Sequence, residues 1–117
     1  MKKELRVKTK QEFQSVLKAK NKLVTPNYII YYKPNDYDHP RFGISASKKL
    51  GNAVIRTTIR RRIRAIIHNI YKREEIAKLD YVIIIRAPFL EKKFIENQLE
   101  MSDAFLNIRR KMNEKKI

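Results

Sequence analysis

The chain has 117 residues, 43% of them hydrophobic, and its 28 Lys and Arg against 12 Asp and Glu give a formal net charge of +16. That length and apolar content predict a single folded domain over residues 1–117, and the charge predicts a polyanion as working partner. The absence of cysteine excludes disulfides, thiol nucleophiles and cysteine-ligated metal centres, and no apolar run approaches the roughly 20 residues that span a bilayer. With no signal peptide at its start, the chain is expected to be soluble and cytoplasmic.

In chain order, Thr9 and Glu12 form a capping-box pattern ahead of Phe13, Val16 and Leu17, which predicts a first helix over Lys10–Lys20. Pro26 stops any helix, and Tyr28–Tyr32 has the aromatic and β-branched character of a strand. The Leu23–Pro26 segment is a candidate for one more short strand at the sheet edge. After a turn cluster at Pro34–Pro40, Arg41–Ser47 alternates, with Phe42, Ile44 and Ala46 on one face. Gly51 supplies a turn and Asn52 an N-cap for a long helix over Ala53–Arg73, whose Ile55, Ile59, Ile63, Ile66 and Ile70 fall on one core-facing stripe. On the same wheel Arg60, Arg61, Arg64 and His68 lie opposite, with Arg56 at the edge. Tyr81–Ile85 is an apolar run suited to a central strand covered on both faces. A last helix is expected over Glu91–Lys111, burying Phe94, Met101, Phe105, Ile108 and Met112. The result is an α/β class, single-domain α-β sandwich in the order α-β-β-(β)-α-β-α.

The charge is concentrated. Residues 1–22 hold eight basic side chains, and Arg41–Arg73 holds ten with no Asp or Glu at all. Arg56, Arg60, Arg61, Arg62 and Arg64 lie within three turns of one helix, where guanidinium groups three and four residues apart form a row of phosphate clamps. Lys48 and Lys49 lead into the same helix N-terminus, a second place for an anion. Catalytic side chains have no comparable pattern: His39 and His68 are far apart in sequence, Asp36 and Asp38 are turn formers, and two glycines cannot build a phosphate loop.

Arg41-Phe-Gly-Ile-Ser-Ala-Ser-Lys-Lys-Leu-Gly-Asn-Ala-Val54 and the following Ile55-Arg-Thr-Thr-Ile-Arg-Arg-Arg-Ile-Arg64 resemble the signature strand, turn and arginine-rich helix of the protein subunit of bacterial ribonuclease P. Glu12-Phe13-Gln14 and Tyr81–Pro88 extend the resemblance over nearly the whole chain. Thr57 stands where the family usually has Asn, and Arg60 where it usually has Lys; arginine keeps the cation, threonine only a shorter hydroxyl.

The resemblance implies that an RNA subunit, using Mg2+, hydrolytically removes the 5′ leader of precursor tRNA, while the protein holds the leader and raises affinity for substrate and Mg2+; no metal site is assigned to the protein. It implies a left-handed β-α-β crossover around the basic helix. It also implies that Lys48, Lys49, Arg56, Thr57, Arg60, Arg61 and Arg64 face the catalytic RNA, and that Phe13, Leu17, Tyr31 and Arg41 face the leader. Phe13 and Leu17 equally suit plain packing of the first helix, whereas Tyr31 is opposite in parity to Tyr28, Ile30 and Tyr32. The expected partners are the RNA subunit and precursor tRNA, with no membrane and no stable protein partner. Two other classes fit the charge alone. One is a structural, ribosomal-type RNA-binding protein; the other is a DNA-binding regulator, which would need a helix just before Gly51 where the sequence alternates as strand.

Overall fold

A computed structural model describes residues 1–114. The elements are α1 (Lys10–Lys18), β1 (Lys22–Val24), β2 (Tyr28–Pro34), β3 (Arg41–Ser45), α2 (Ala53–Arg73), β4 (Leu79–Ile85) and α3 (Phe94–Glu114). Short 3-10 turns occupy Lys3–Leu5, Lys48–Leu50 and Ala87–Glu91. The strands form one mixed sheet in the order β1-β2-β4-β3. β1 and β2 are an antiparallel hairpin, β2 and β4 are antiparallel, and β3 runs parallel to β4, which requires α2 as the crossover between them.

The expected capping box starts α1: Thr9 Oγ1 accepts from the Glu12 amide at 3.1 Å while Glu12 Oε1 accepts from the Thr9 amide at 3.1 Å. The helix stops at Lys18, two residues early, because Lys20 adopts a left-handed φ of 67° that redirects the chain into β1. The edge strand expected near Leu23–Pro26 is β1. It pairs with β2 through Leu23 and Ile30, closed by a turn in which the Thr25 amide donates to the Tyr28 carbonyl at 2.8 Å.

The sheet has two unlike faces. Tyr28, Ile30 and Tyr32 of β2, Tyr81, Ile83 and Ile85 of β4, and Phe42 of β3 pack with the isoleucines of α2 and with Met101, Phe105 and Ile108 of α3 in the main core. Phe42 and Tyr81, register partners, stack at 5.4 Å, and Phe105 meets both edge-on. β4 lies between β2 and β3 and is buried over nearly its whole length, as the apolar run Tyr81–Ile85 requires.

Two expected core residues differ. Ile55 is 40% exposed, since it lies in the first turn of α2 and packs back on Gly51 instead of the sheet. Phe94 is 42% exposed because Pro88 carries the chain through a 3-10 turn and α3 begins only at Phe94. The place of a buried apolar residue there is taken by Asn97, whose amide donates to the Phe89 carbonyl and accepts from Asn27, while its own carbonyl accepts from the Tyr28 hydroxyl.

Candidate nucleic-acid interface

The α2 end of the interface is built by its first turn. Asn52 caps the helix, its Oδ1 accepting from the Ile55 amide at 3.0 Å. Gly51 before it has a φ of 149° and no room for a side chain, since a Cβ there would lie 2.7 Å from Ile55 Cδ1. Lys48 and Lys49, on the preceding 3-10 turn, are exposed, as are Thr57, Arg61 and Arg62. Arg56, Arg60 and Arg64, four residues apart, are half-buried along one flank of the isoleucine stripe instead of lying at its back. This corrects the helical-wheel expectation for Arg60 and Arg64: the stripe is broad because Ile67 joins it, so the residues beside it lie close against the protein. Among the described residues no α2 arginine is within ion-pairing distance of a carboxylate. The Nε atoms of Arg56 and Arg64 are buried without a hydrogen-bond partner. Burial, then the charges of Arg6 and Arg60, holds the Arg64 guanidinium below its ordinary pKa.

The second part is the sheet face turned away from the core. Strand register lays its side chains in rows: Lys22, Tyr31, Val82 and Gly43 form one row across all four strands, and Val24, Ile29, Ile84 and Ser45 the next. α1 covers one end of the first row. Val16 is its buried anchor, and Phe13 lies flat on Gly43, where a Cβ would sit 2.5 Å from the ring. Phe13 therefore does pack, yet it remains half-exposed, and Leu17 one turn on is 37% exposed. Tyr31 is half-buried beside them with the Lys22 ammonium 5.8 Å from its ring, while Tyr28, Ile30 and Tyr32 point into the core, so the parity argument holds. The strip is apolar, partly open and edged by lysine.

Arg41, expected at the leader, is turned into the protein. It is 5% exposed, donates to both carboxylate oxygens of Asp80 at 2.9 and 2.7 Å, and meets Glu12 at 2.6 Å. Its guanidinium also lies 4.4 Å from the Tyr37 ring centre. All its strong contacts are internal, and it fastens α1 to the sheet. Asp80, alone among the apolar side chains of β4, was the available signal: a buried acid needs a cation, and Arg41 is its neighbour in register. His39 and His68, far apart in sequence, line one pocket with Leu5, Ile67 and Tyr71; the His39 ring Nδ1 contacts the Pro40 carbonyl, and His68 is exposed on α2.

The sequence profile of the family described as Ribonuclease P matches residues 1–109. The chain belongs to the ribonuclease P protein family. Its function is therefore that of a ribonuclease P protein subunit, in tRNA processing. A "Ribonuclease P protein component" from Streptococcus gordonii is 39% identical over 98 residues, 84% of this chain and 81% of that one. Another from Streptococcus pneumoniae is 42% identical over 86 residues, 74% and 69% of the two chains. The solved RNase P protein of Staphylococcus aureus superposes with a TM-score of 0.77 at 33% identity, covering 90% of this chain and 94% of that one. The Thermotoga maritima RNase P protein has the same fold, with a TM-score of 0.74 at 22% identity over 86% and 94%.

The ribonuclease P resemblance pointed to α2 and to the strip; it did not point to Arg6. This residue precedes the motif by tens of positions, yet it sits beside Arg60 and Arg64 because Arg6 forms a parallel bridge with Phe42 and the Val7 amide donates to the Phe42 carbonyl at 3.0 Å. No pattern in residues 1–8 signals that pairing.

Proposed function

We propose that the chain works in the cytoplasm with a catalytic RNA that removes the 5′ leader from precursor tRNA, the RNA performing Mg2+-dependent hydrolysis and the protein positioning the substrate. Lys48, Lys49, Arg56, Thr57, Arg60, Arg61 and Arg64 face the RNA subunit in this reading, and Phe13, Leu17 and Tyr31 receive the unpaired leader. The observation that carries it is the juxtaposition of an open aromatic strip with an arginine flank that pairs with no carboxylate among the described residues. Unpaired bases stack on such a strip with little sequence preference, at about 1–3 kcal/mol per base. Guanidinium groups left without carboxylates are free for phosphate.

In this reading the Mg2+ is used by the RNA subunit, as in the ribonuclease P family to which the chain belongs. The protein contributes charge. Its cations neutralise phosphates that would otherwise have to be drawn together by Mg2+, and thereby lower the Mg2+ the complex needs. Reconstitution with ribonuclease P RNA tests this. At low Mg2+ the added protein should raise the rate of leader cleavage by at least about tenfold, a barrier change of about 1.4 kcal/mol, and the gain should shrink as Mg2+ is raised. An unchanged rate at low Mg2+ overturns the reading.

A further inference from the structure

We propose that the recess between the N-terminal segment, β3 and α2 is a phosphate subsite for the leader strand, clamped by Arg6, Arg60 and Arg64. The proposal rests on the leader-binding reading above, adds Arg6 to it, and moves Arg60 and Arg64, which line this recess, from the RNA-subunit set to the leader, leaving Lys48, Lys49, Arg56, Thr57 and Arg61 on the RNA subunit. The recess has a volume of about 180 Å3. Its polar rim is those three arginines and its wall includes Phe13, Gly43 and Ile44; no Asp or Glu lines it. Arg6 is brought there by the main chain, through the bridge to Phe42, and its guanidinium makes only a long 3.4 Å contact to the Met1 carbonyl.

Three cations thus share one partly enclosed space with no counter-charge among the described residues. Arg64 bears the cost, its charged form disfavoured by burial and by Arg6 and Arg60, and its Nε lacks a partner. A bound anion would reverse both effects. The planar forks of several arginines match a phosphodiester, which presents two unesterified oxygens to them. Both the leader and the RNA subunit carry that group. The leader is favoured because Phe13 and Gly43, which wall the recess, also form one end of the aromatic strip. A strand whose bases stack on Tyr31 and Phe13 brings its backbone to this recess at the junction with α2.

The test replaces Arg6, an exposed residue whose strand contacts use only the backbone, so that Arg6→Ala keeps the fold. Holoenzyme affinity is measured for precursor and mature tRNA, beside the affinity of the protein for the RNA subunit. Arg6→Ala should weaken precursor binding about tenfold and leave mature tRNA binding and subunit assembly unchanged. Precursors bearing a single neutral methylphosphonate linkage, moved stepwise through the leader, supply the second arm. At one linkage the wild-type protein should lose the same factor and the Arg6→Ala protein nothing further. Unchanged precursor affinity, equal loss for mature tRNA, loss confined to assembly, or additive losses at every linkage each overturn the proposal. Tyr31→Ala separates the two levels: if it weakens precursor binding while Arg6→Ala does not, only the phosphate subsite fails. If neither variant weakens it, the leader-binding reading fails as well.

Discussion

Arg41 and Arg64 are the same side chain on adjoining elements, and their surroundings give them opposite work. Arg41 is enclosed by Glu12 and Asp80, so its charge is spent on joining α1 to β3 and β4. Arg64 has neighbours of its own sign and, among the described residues, no acid within ion-pairing distance. Glu12 is equally economical: Oε1 completes the α1 capping box and Oε2 holds Arg41. Hydrogen bonding to Arg41, with the guanidinium charge and the contacts to Thr9, keeps the Glu12 carboxyl below its ordinary value of 4.5, against some desolvation. A carboxylate whose pKa is lower folded than unfolded contributes stability above the unfolded value and loses it as pH falls through the folded one. The melting temperature should therefore drop as pH is lowered below about 4.5, and Glu12→Gln should start less stable near neutrality and fall less steeply. Parallel slopes for the two proteins in thermal unfolding from about pH 6 to about pH 3 would show that the Glu12–Arg41 pair contributes nothing.

At the scale of the element, α2 is a helix under internal repulsion. Arg56, Arg60 and Arg64 repeat at four-residue spacing, where like charges destabilise a helix by some tenths of a kcal/mol per pair. The buried isoleucine stripe offsets this, and so does the Asn52 cap at a helix start with no acidic residue in its first turn. Removing that cap should be felt: Asn52→Ala is expected to cost about 1 kcal/mol, read as a lower denaturation midpoint with an unchanged slope. RNA should restore part of the loss, since an anion bound to the folded form relieves the repulsion and stabilises it by mass action. A midpoint unaffected by Asn52→Ala would mean that tertiary packing alone starts the helix. α1 presents the complementary case. It is only nine residues long, too short to persist alone, and it is held by its capping box, by buried Val16 and by the Glu12–Arg41 contact.

Across the whole molecule, the net charge of +16 is distributed by the fold. One sheet face and the two long helices enclose the core, and the other face carries the strip that α1 leaves partly open. The arginine flank of α2 adjoins that strip at β3, with Arg6 between them. The two surfaces differ in chemistry and should differ in salt response. Arg61 is exposed on α2, so Arg61→Ala should weaken assembly with the RNA subunit and reduce the slope of log affinity against log salt by about one. An unchanged slope in a salt titration of assembly would remove Arg61 from the phosphate contacts. Among the described residues, no helix is long and apolar enough to cross a membrane.

Local signals sufficed for much of this. The Thr9–Glu12 box, the Gly51–Asn52 start of α2, the aromatic alternation of β2 and the apolar run of β4 each act within a few residues, where backbone geometry and side-chain period decide the outcome. The opposite parity of Tyr31 was also readable, because a strand must turn alternate residues to opposite faces. The sequence by itself therefore determined the elements, the basic helix and the family. Only the tertiary structure decided which arginine has acids to pair with and which, among the described residues, has none. Glu12, Arg41 and Asp80 meet because the strand order β1-β2-β4-β3 sets β3 beside β4 and α1 across them. Arg6 joins Arg60 and Arg64 because the N-terminal segment pairs with β3. These are contacts between residues far apart along the chain, and no local period encodes them. A buried cation must find whichever acid the topology supplies, and an unpaired one is left for an external phosphate.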